Sequence, residues 1–201
     1  MNLAHLGDAL DHWKGSLLTV IGSKGLRVVP MLTDRARWTE QHFETYARLL
    51  KCSPENVLKK ANSDLFSSVT RQSYFCNLGR NDLFLDPDTG IASDKKAKKE
   101  HVSPSEIAAL LSESRSRMIL IYQHASREKD GPRKKLDLLR EAQGLTECGI
   151  FAYDSGAVSM IVISRNQERT DKALARLKSW LGPVASTRII EIEETSTRGR
   201  G

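Results

Sequence analysis

Met118-Ile119-Leu120-Ile121-Tyr122 is apolar at every position. A strand with one wet face alternates apolar and polar residues, whereas one that is apolar throughout must be covered on both faces. Leu26-Arg27-Val28-Val29-Pro30-Met31-Leu32 and Leu83-Phe84-Leu85 have the same character. Between these runs the apolar residues recur at helical spacing. Leu3, Leu6, Leu10, Trp13, Leu17, Val20 and Ile21 predict a helix over 2–22, stopped by Gly22 and Gly25. Thr39 starts a second helix, with Phe43, Tyr46 and Leu50 near one face, and Ser53-Pro54 starts a short third one through Lys60. Ser103-Pro104-Ser105-Glu106 opens another, with serine ahead of proline at the first turn. Further helices are expected over about 132–143 and 167–181.

This alternation predicts an α/β fold with a mostly parallel sheet and helices on both faces. Pro30 argues against a central, fully paired place for its strand. Gly149 to Tyr153, a turn at Asp154-Ser155-Gly156, and Ala157 to Ser164 predict a late antiparallel hairpin at the sheet edge. Thr187 to Ile192 is a last strand. Residues 61–80 are rich in Ser, Asn and Gln and read as loop, with a strand at Tyr74-Phe75-Cys76.

A chain of 201 residues suits one domain, read here as 1–194 followed by a flexible basic tail over 195–201. The three cysteines, Cys52, Cys76 and Cys148, are odd in number and form no Cys-x-x-Cys pair. That argues against a disulfide framework or a zinc site and for buried thiols in a reducing compartment. Asp8, Asp11, His12 and Lys14 interrupt any secretory signal at the start, and no run is long enough for a membrane span. A cytoplasmic location is therefore expected. The formal net charge of +6 favours an anionic partner, nucleic acid above all. Lys95, Lys96, Lys98 and Lys99, with Arg133, Lys134 and Lys135, are the candidates to track phosphates; the bland reading is a solvated basic face. A protein partner or a second copy of the chain stays open.

Ligands of open parallel sheets bind beyond the carboxyl ends of the strands. Three strands here end in polar groups: Thr33 and Asp34, then Asp86-Pro87-Asp88-Thr89-Gly90, then Tyr122-Gln123-His124. Pro87 stiffens its turn and Gly90 allows a tight exit. Asp86 and Asp88 could converge on a cation or an amine, or merely cap and solvate the turn. His124 could act as general acid or base, or sit hydrogen-bonded at the surface. His5, Asp8 and His12 share one helical side, but their spacing is loose and no second cluster completes a metal site. There is no phosphate-binding glycine loop, no nucleophile elbow and no His-Glu-x-x-His.

Asn2-Leu3-Ala4-His5, then Gly7-Asp8, Asp11-His12 and Lys14, resembles the opening of the large-subunit ribosomal RNA adenine-N6 methyltransferases. Leu83-Phe84-Leu85-Asp86-Pro87-Asp88 resembles the Asp-Pro-Pro-Tyr strand end of amino-methyltransferases and the Asp-Pro-Phe-Gly loop of the three-Cys-motif partner proteins. The order helix, strand, helix, hairpin that follows is similar to the second half of a class I methyltransferase. The resemblance implies a Rossmann-like, methyltransferase-like fold, S-adenosylmethionine as cofactor and nucleic acid as target. By the same resemblance, Asp86 would accept a hydrogen bond from the target amine, Pro87 would shape the turn, and Asp88 would stand beside them. His5 and Lys14 would touch cofactor or substrate, with Thr33 and Asp34 near the cofactor.

Whether the chain is catalytic stays open in the sequence. One alternative is a nuclease or phosphodiesterase holding Mg2+ or Mn2+ through Asp86, Asp88 and Asp34, helped by His124. Another is a non-catalytic accessory module that keeps the fold and the basic face.

Overall fold

The computed structural model of the protein describes residues 2–22, 25–33, 37–59, 74–75, 78–124 and 130–192. Among the described residues there are eight strands: β1 (Arg27–Met31), β2 (Leu83–Pro87), β3 (Gly90–Ile91), β4 (His101–Val102), β5 (Met118–His124), β6 (Gly149–Asp154), β7 (Val158–Ser164) and β8 (Ile189–Glu191). The helices are α1 (Ala9–Ile21), α2 (Glu40–Leu49), α3 (Pro104–Ser112), α4 (Gly131–Arg140) and α5 (Gln167–Ser186).

Six strands form the main sheet in the order β1-β2-β5-β7-β6-β8. β1, β2 and β5 pair in parallel; β7 is antiparallel to β5, β6 to β7, and β8 to β6. β1, β2, β5 and β6 thus share one direction, and only β7 and β8 run against it. The short β3 and β4 pair separately.

Period-two alternation sends each strand into two cores. Met118, Leu120 and Tyr122 of β5 pack with Phe84, Met160 and Val162 under α1, α2 and α5. Ile119 and Ile121 pack with Leu83, Leu85, Ile161 and Ile163 under α3 and α4. Helices cover both faces, as the continuous apolar strands require. Among the described residues no helix is long and apolar enough to cross a membrane.

Several local expectations change. The helix over 2–22 is split: Leu3–His5 is one 3-10 turn, and Asp8 caps α1 by accepting from the amides of Leu10 and Asp11. A cap that binds the first amides outcompetes continuation of the apolar stripe. The helix expected from Ser53 to Lys60 is a 3-10 turn over Pro54–Asn56, after which Val57 bridges to Val28. Tyr74 and Phe75 have helical rather than strand backbone; most of 61–80, Cys76, Asp34 and the 195–201 tail lie outside the described residues. The hairpin is not at the edge, since β7 inserts beside β5 and leaves β8 outermost. Pro30 does lie in an edge strand of the sheet, and its carbonyl accepts from the Tyr74 hydroxyl.

Candidate functional site

Strand alternation decides which way Asp86 points. Phe84 belongs to the core under α1 and α2, and Asp86, two residues on, shares that side. There its carboxylate meets two donors. Lys14 Nζ of α1 donates to Asp86 Oδ2 at 2.9 Å, and the Tyr46 hydroxyl of α2 donates to the same oxygen. Lys14 also donates to Asp11 Oδ1 at 3.1 Å. The i, i+3 spacing of Asp11 and Lys14 puts both on one face of α1. The other Asp11 oxygen accepts from the Gly7 amide at 2.9 Å, which ties the start of α1 to the cluster. On the remaining side Lys14 Nζ stands 4.4 Å from the centroid of the Tyr122 ring.

These groups meet because α1 and α2 cross closely. A β-carbon at Gly15 would overlap the Leu49 carbonyl at the end of α2, so only glycine allows the approach. The next residue toward the amino end is Lys14, and Tyr46 lies on the buried face of α2.

The cluster has been taken out of water. Asp11 and Asp86 are each 1 % exposed and Tyr46 is 0 % exposed. Burial raises the Asp11 carboxyl above its ordinary value, against the pull of Lys14. For Lys14, burial acts downward, but the Asp86 and Asp11 carboxylates prevail and its ammonium holds its proton more tightly than usual. The Tyr46 phenol is raised well above its ordinary range, by burial first and then by Asp86. Burial likewise raises Tyr122.

Beside the cluster, at the carboxyl ends of β2 and β5, is a cavity of about 260 Å3. Its walls are Asn2, His5, Asp8, Leu10, Asp11 and Lys14 from the amino-terminal segment and Asp86, Pro87, Asp88, Tyr122 and His124 from the strand ends. The Tyr122 hydroxyl and His124 Nδ1 are 2.9 Å apart. Thr33, after β1, donates to Asp88 Oδ2 at 3.2 Å and so ties the end of β1 to the Asp86 loop.

On the opposite side of β5, Gln123 fixes that loop. Its Oε1 accepts from the Ile91 amide at 2.8 Å and its Nε2 donates to the Thr89 carbonyl at 3.2 Å. Gly90 has φ +118°, and a β-carbon there would run into the Gln123 side chain, so this turn requires glycine.

The cavity therefore gathers Asp86, Pro87, Asp88, His124, His5 and Lys14. Asp86 faces Lys14 and Tyr46, and Asp88 accepts from Thr33. His5 and His12 do not share a helix, because the break before Asp8 takes His5 out of α1. Among the described residues no three His, Cys, Asp or Glu side chains form a group able to hold a metal. Lys95, Lys96, Lys98 and Lys99 lie outside the cavity, between β3 and β4. Arg133 pairs with Asp137 and the Glu191 carbonyl, while Lys135 donates to the Ile91 carbonyl at 2.7 Å. That last bond brings the basic start of α4 against β3. Sequence reasoning passed over Tyr46 and gave Asp11 no place in the site, and it named Tyr122 only as one of the polar strand ends. The legible signal was the Asp11–Lys14 spacing; nothing local marks Tyr46 off from an ordinary core tyrosine. Compared with known proteins, the chain matches no family model, no curated protein and no solved structure.

Proposed function

We propose that this is a methyltransferase-like domain directed at nucleic acid, with the cavity beside Asp86 as its adenosyl-ligand site. One observation carries the reading. The two stretches that resemble methyltransferases, Asn2 to Lys14 and Leu83 to Asp88, are far apart in sequence, yet both contribute residues to the lining of one cavity. Lys14 and Asp86, 72 residues apart, are in direct contact. The cavity lies at the carboxyl ends of parallel strands, where an open α/β sheet offers its ligand site.

Asp86 has a different role from the one the resemblance implies. Its Oδ2 already accepts from Lys14 and Tyr46, so a target amine has to compete with a buried ammonium for it. After β1 the chain runs Thr33-Asp34-Arg35-Ala36-Arg37, with no glycine to let backbone approach a methionine carboxylate. The first feature weighs against fast transfer to an amine, and the second leaves the methionine end of the ligand without a glycine-allowed backbone contact. S-adenosylmethionine, when bound, would supply an activated methyl group; His5 and Lys14 would contact it, and His124 would stand at the mouth to handle a proton.

The test is a thermal-shift series with S-adenosylmethionine, S-adenosylhomocysteine, Mg2+, Mn2+ and short oligonucleotides. An adenosyl ligand at a hundredfold excess over its Kd is expected to stabilise the fold by about 2.7 kcal/mol. A response to metal or oligonucleotide, with none to either adenosyl ligand, would refute the reading.

A further inference from the structure

The buried stripe of α5 outruns the core. Thr170, Ala173 and Leu177 follow one another at helical spacing and are buried. The same spacing leads on to Trp180, yet Trp180 is 53 % exposed, and Val184, past the turn at Gly182, is 85 % exposed. Among the described residues these are the large apolar side chains left in water, and both fall in one short segment. An indole placed there adds little to the core and offers a flat ring face to a ligand.

The charge around this segment is one-sided. From Lys172 to Ile190 the sequence has four cations, Lys172, Arg176, Lys178 and Arg188, and no carboxylate. Lys172 and Lys178 reach outside that run for their partners, Glu168 and Glu191. Arg176 precedes Trp180 by four residues, which makes the two neighbours on the helix surface. The segment also lies at the cavity end of the sheet. β6 runs in the direction of β2 and β5, and the Asp154 amide at its carboxyl end donates to the Arg188 carbonyl, just past α5, at 3.0 Å. Tyr153, at the same end of β6, stacks on Trp13, the neighbour of Lys14 in α1.

We propose that Trp180 and Arg176 form a stacking platform for single-stranded nucleic acid, the indole taking a base and the guanidinium a neighbouring phosphate. The partner class rests on the function proposed above. Stacking on an aromatic ring needs an open base face, which a single strand has and the interior of a duplex lacks. Two copies of the chain docked on this patch about a two-fold axis would set cations against cations. Most of the apolar face of α5 already lies against the sheet, which leaves little to seat the helix on lipid.

The test is fluorescence anisotropy of the whole chain with two labelled probes of equal length, single-stranded oligothymidylate and a duplex. Trp180→Ala is expected to weaken single-strand binding roughly five- to a hundredfold and duplex binding by less than about twofold. Trp180→Phe, which keeps a ring, should stay within roughly threefold of the native protein. Arg176→Gln should make the slope of log K against log salt shallower by about 0.7 on the single strand. Melting curves check that each variant is folded, and the exposure of Trp180 keeps its removal from emptying the core. Unchanged single-strand affinity in Trp180→Ala overturns the platform and leaves the nucleic-acid reading standing. An equal loss on both probes overturns stacking. Binding of neither probe overturns the platform and the nucleic-acid reading together. If Trp180→Ala instead abolishes binding to phosphatidylglycerol vesicles, or self-association in sedimentation, with oligonucleotide affinity unchanged, the indole serves lipid or a second copy and the inference is overturned.

Discussion

At the scale of single residues, Lys14 is the hinge of the site. It is the ammonium between two buried carboxylates, so removing it leaves both without a counter-charge. Lys14→Met is expected to cost about 3–5 kcal/mol of folding stability, measured by urea denaturation, the range for breaking a buried pair. Adding Asp11→Asn and Asp86→Asn to Lys14→Met should restore part of that loss; no recovery would mean that packing, not charge, dominates. The same cluster sets an alkaline limit. Tyr46, Tyr122 and Lys14 all hold their protons more tightly in the folded state than their ordinary values of 10.0, 10.0 and 10.5. A raised folded value gives stability that is full below the unfolded value and lost as pH rises through the folded one. The melting temperature is therefore expected to decline as pH passes above about 10, as the unfolded chain gives up protons that the fold retains. Tyr46→Phe removes one of the three titrating groups and should flatten the decline; an unchanged slope would place the alkaline loss elsewhere.

At the scale of elements, the approach of α1 to α2 decides whether Lys14 and Tyr46 can reach Asp86 together. Gly15→Ala puts a methyl into the Leu49 carbonyl. It is expected to cost about 1–3 kcal/mol, the range for overpacking, and to weaken ligand binding beyond the loss of stability. A melt and a titration on the same sample separate the two effects. Gln123→Ala leaves the Ile91 amide and the Thr89 carbonyl without their side-chain partner and should cost about 1–3 kcal/mol. The elements were largely legible in the sequence because each carries its own signal. Ser103 and Glu106 form the capping box that Ser-Pro-Ser-Glu announces, and the apolar run from Met118 is β5. What was not legible depends on contacts between elements. The position of β7 inside the sheet depends on which strand edge it finds, and hydrophobic pattern leaves that undetermined. The break before α1 was written locally, in the capping geometry of Asp8, but the apolar stripe running through Leu3 and Leu6 masks it. Asp86 and Lys14 were both visible as candidates; their contact was not, because 72 residues separate them.

At the scale of the whole molecule, the charge is unevenly placed. The chain carries a net +6, yet among the described residues the cavity wall holds four aspartates against one lysine and two histidines. A polyanion of the kind proposed above would meet more positive charge on basic residues elsewhere. The segment between β3 and β4, with Lys95 and Lys96 exposed, is one such place. The basic start of α4 is another, and the Lys135 bond to the Ile91 carbonyl holds the two on neighbouring elements. Arg133 and Lys134 sit in the first turn of α4, where positive charge is unfavourable to the helix dipole, and the i, i+4 pair of Arg133 with Asp137 offsets part of that cost. In this arrangement nucleic-acid phosphates would lie on the basic elements and the acidic cavity would stay free of phosphate. Each phosphate contact contributes to the slope of log K against log salt by about −0.9 on duplex DNA and about −0.7 on single strands. The double variant Lys95→Ala/Lys96→Ala is expected to weaken oligonucleotide binding and to make that slope shallower by about 1.4 to 1.8 if both lysines contact phosphate. Fluorescence anisotropy across a salt series reads both quantities, and the same variant should leave adenosyl-ligand affinity unchanged. An unchanged slope would remove the β3–β4 segment from the nucleic-acid surface. A parallel loss of adenosyl binding would instead mean that the basic segment and the cavity act as one site.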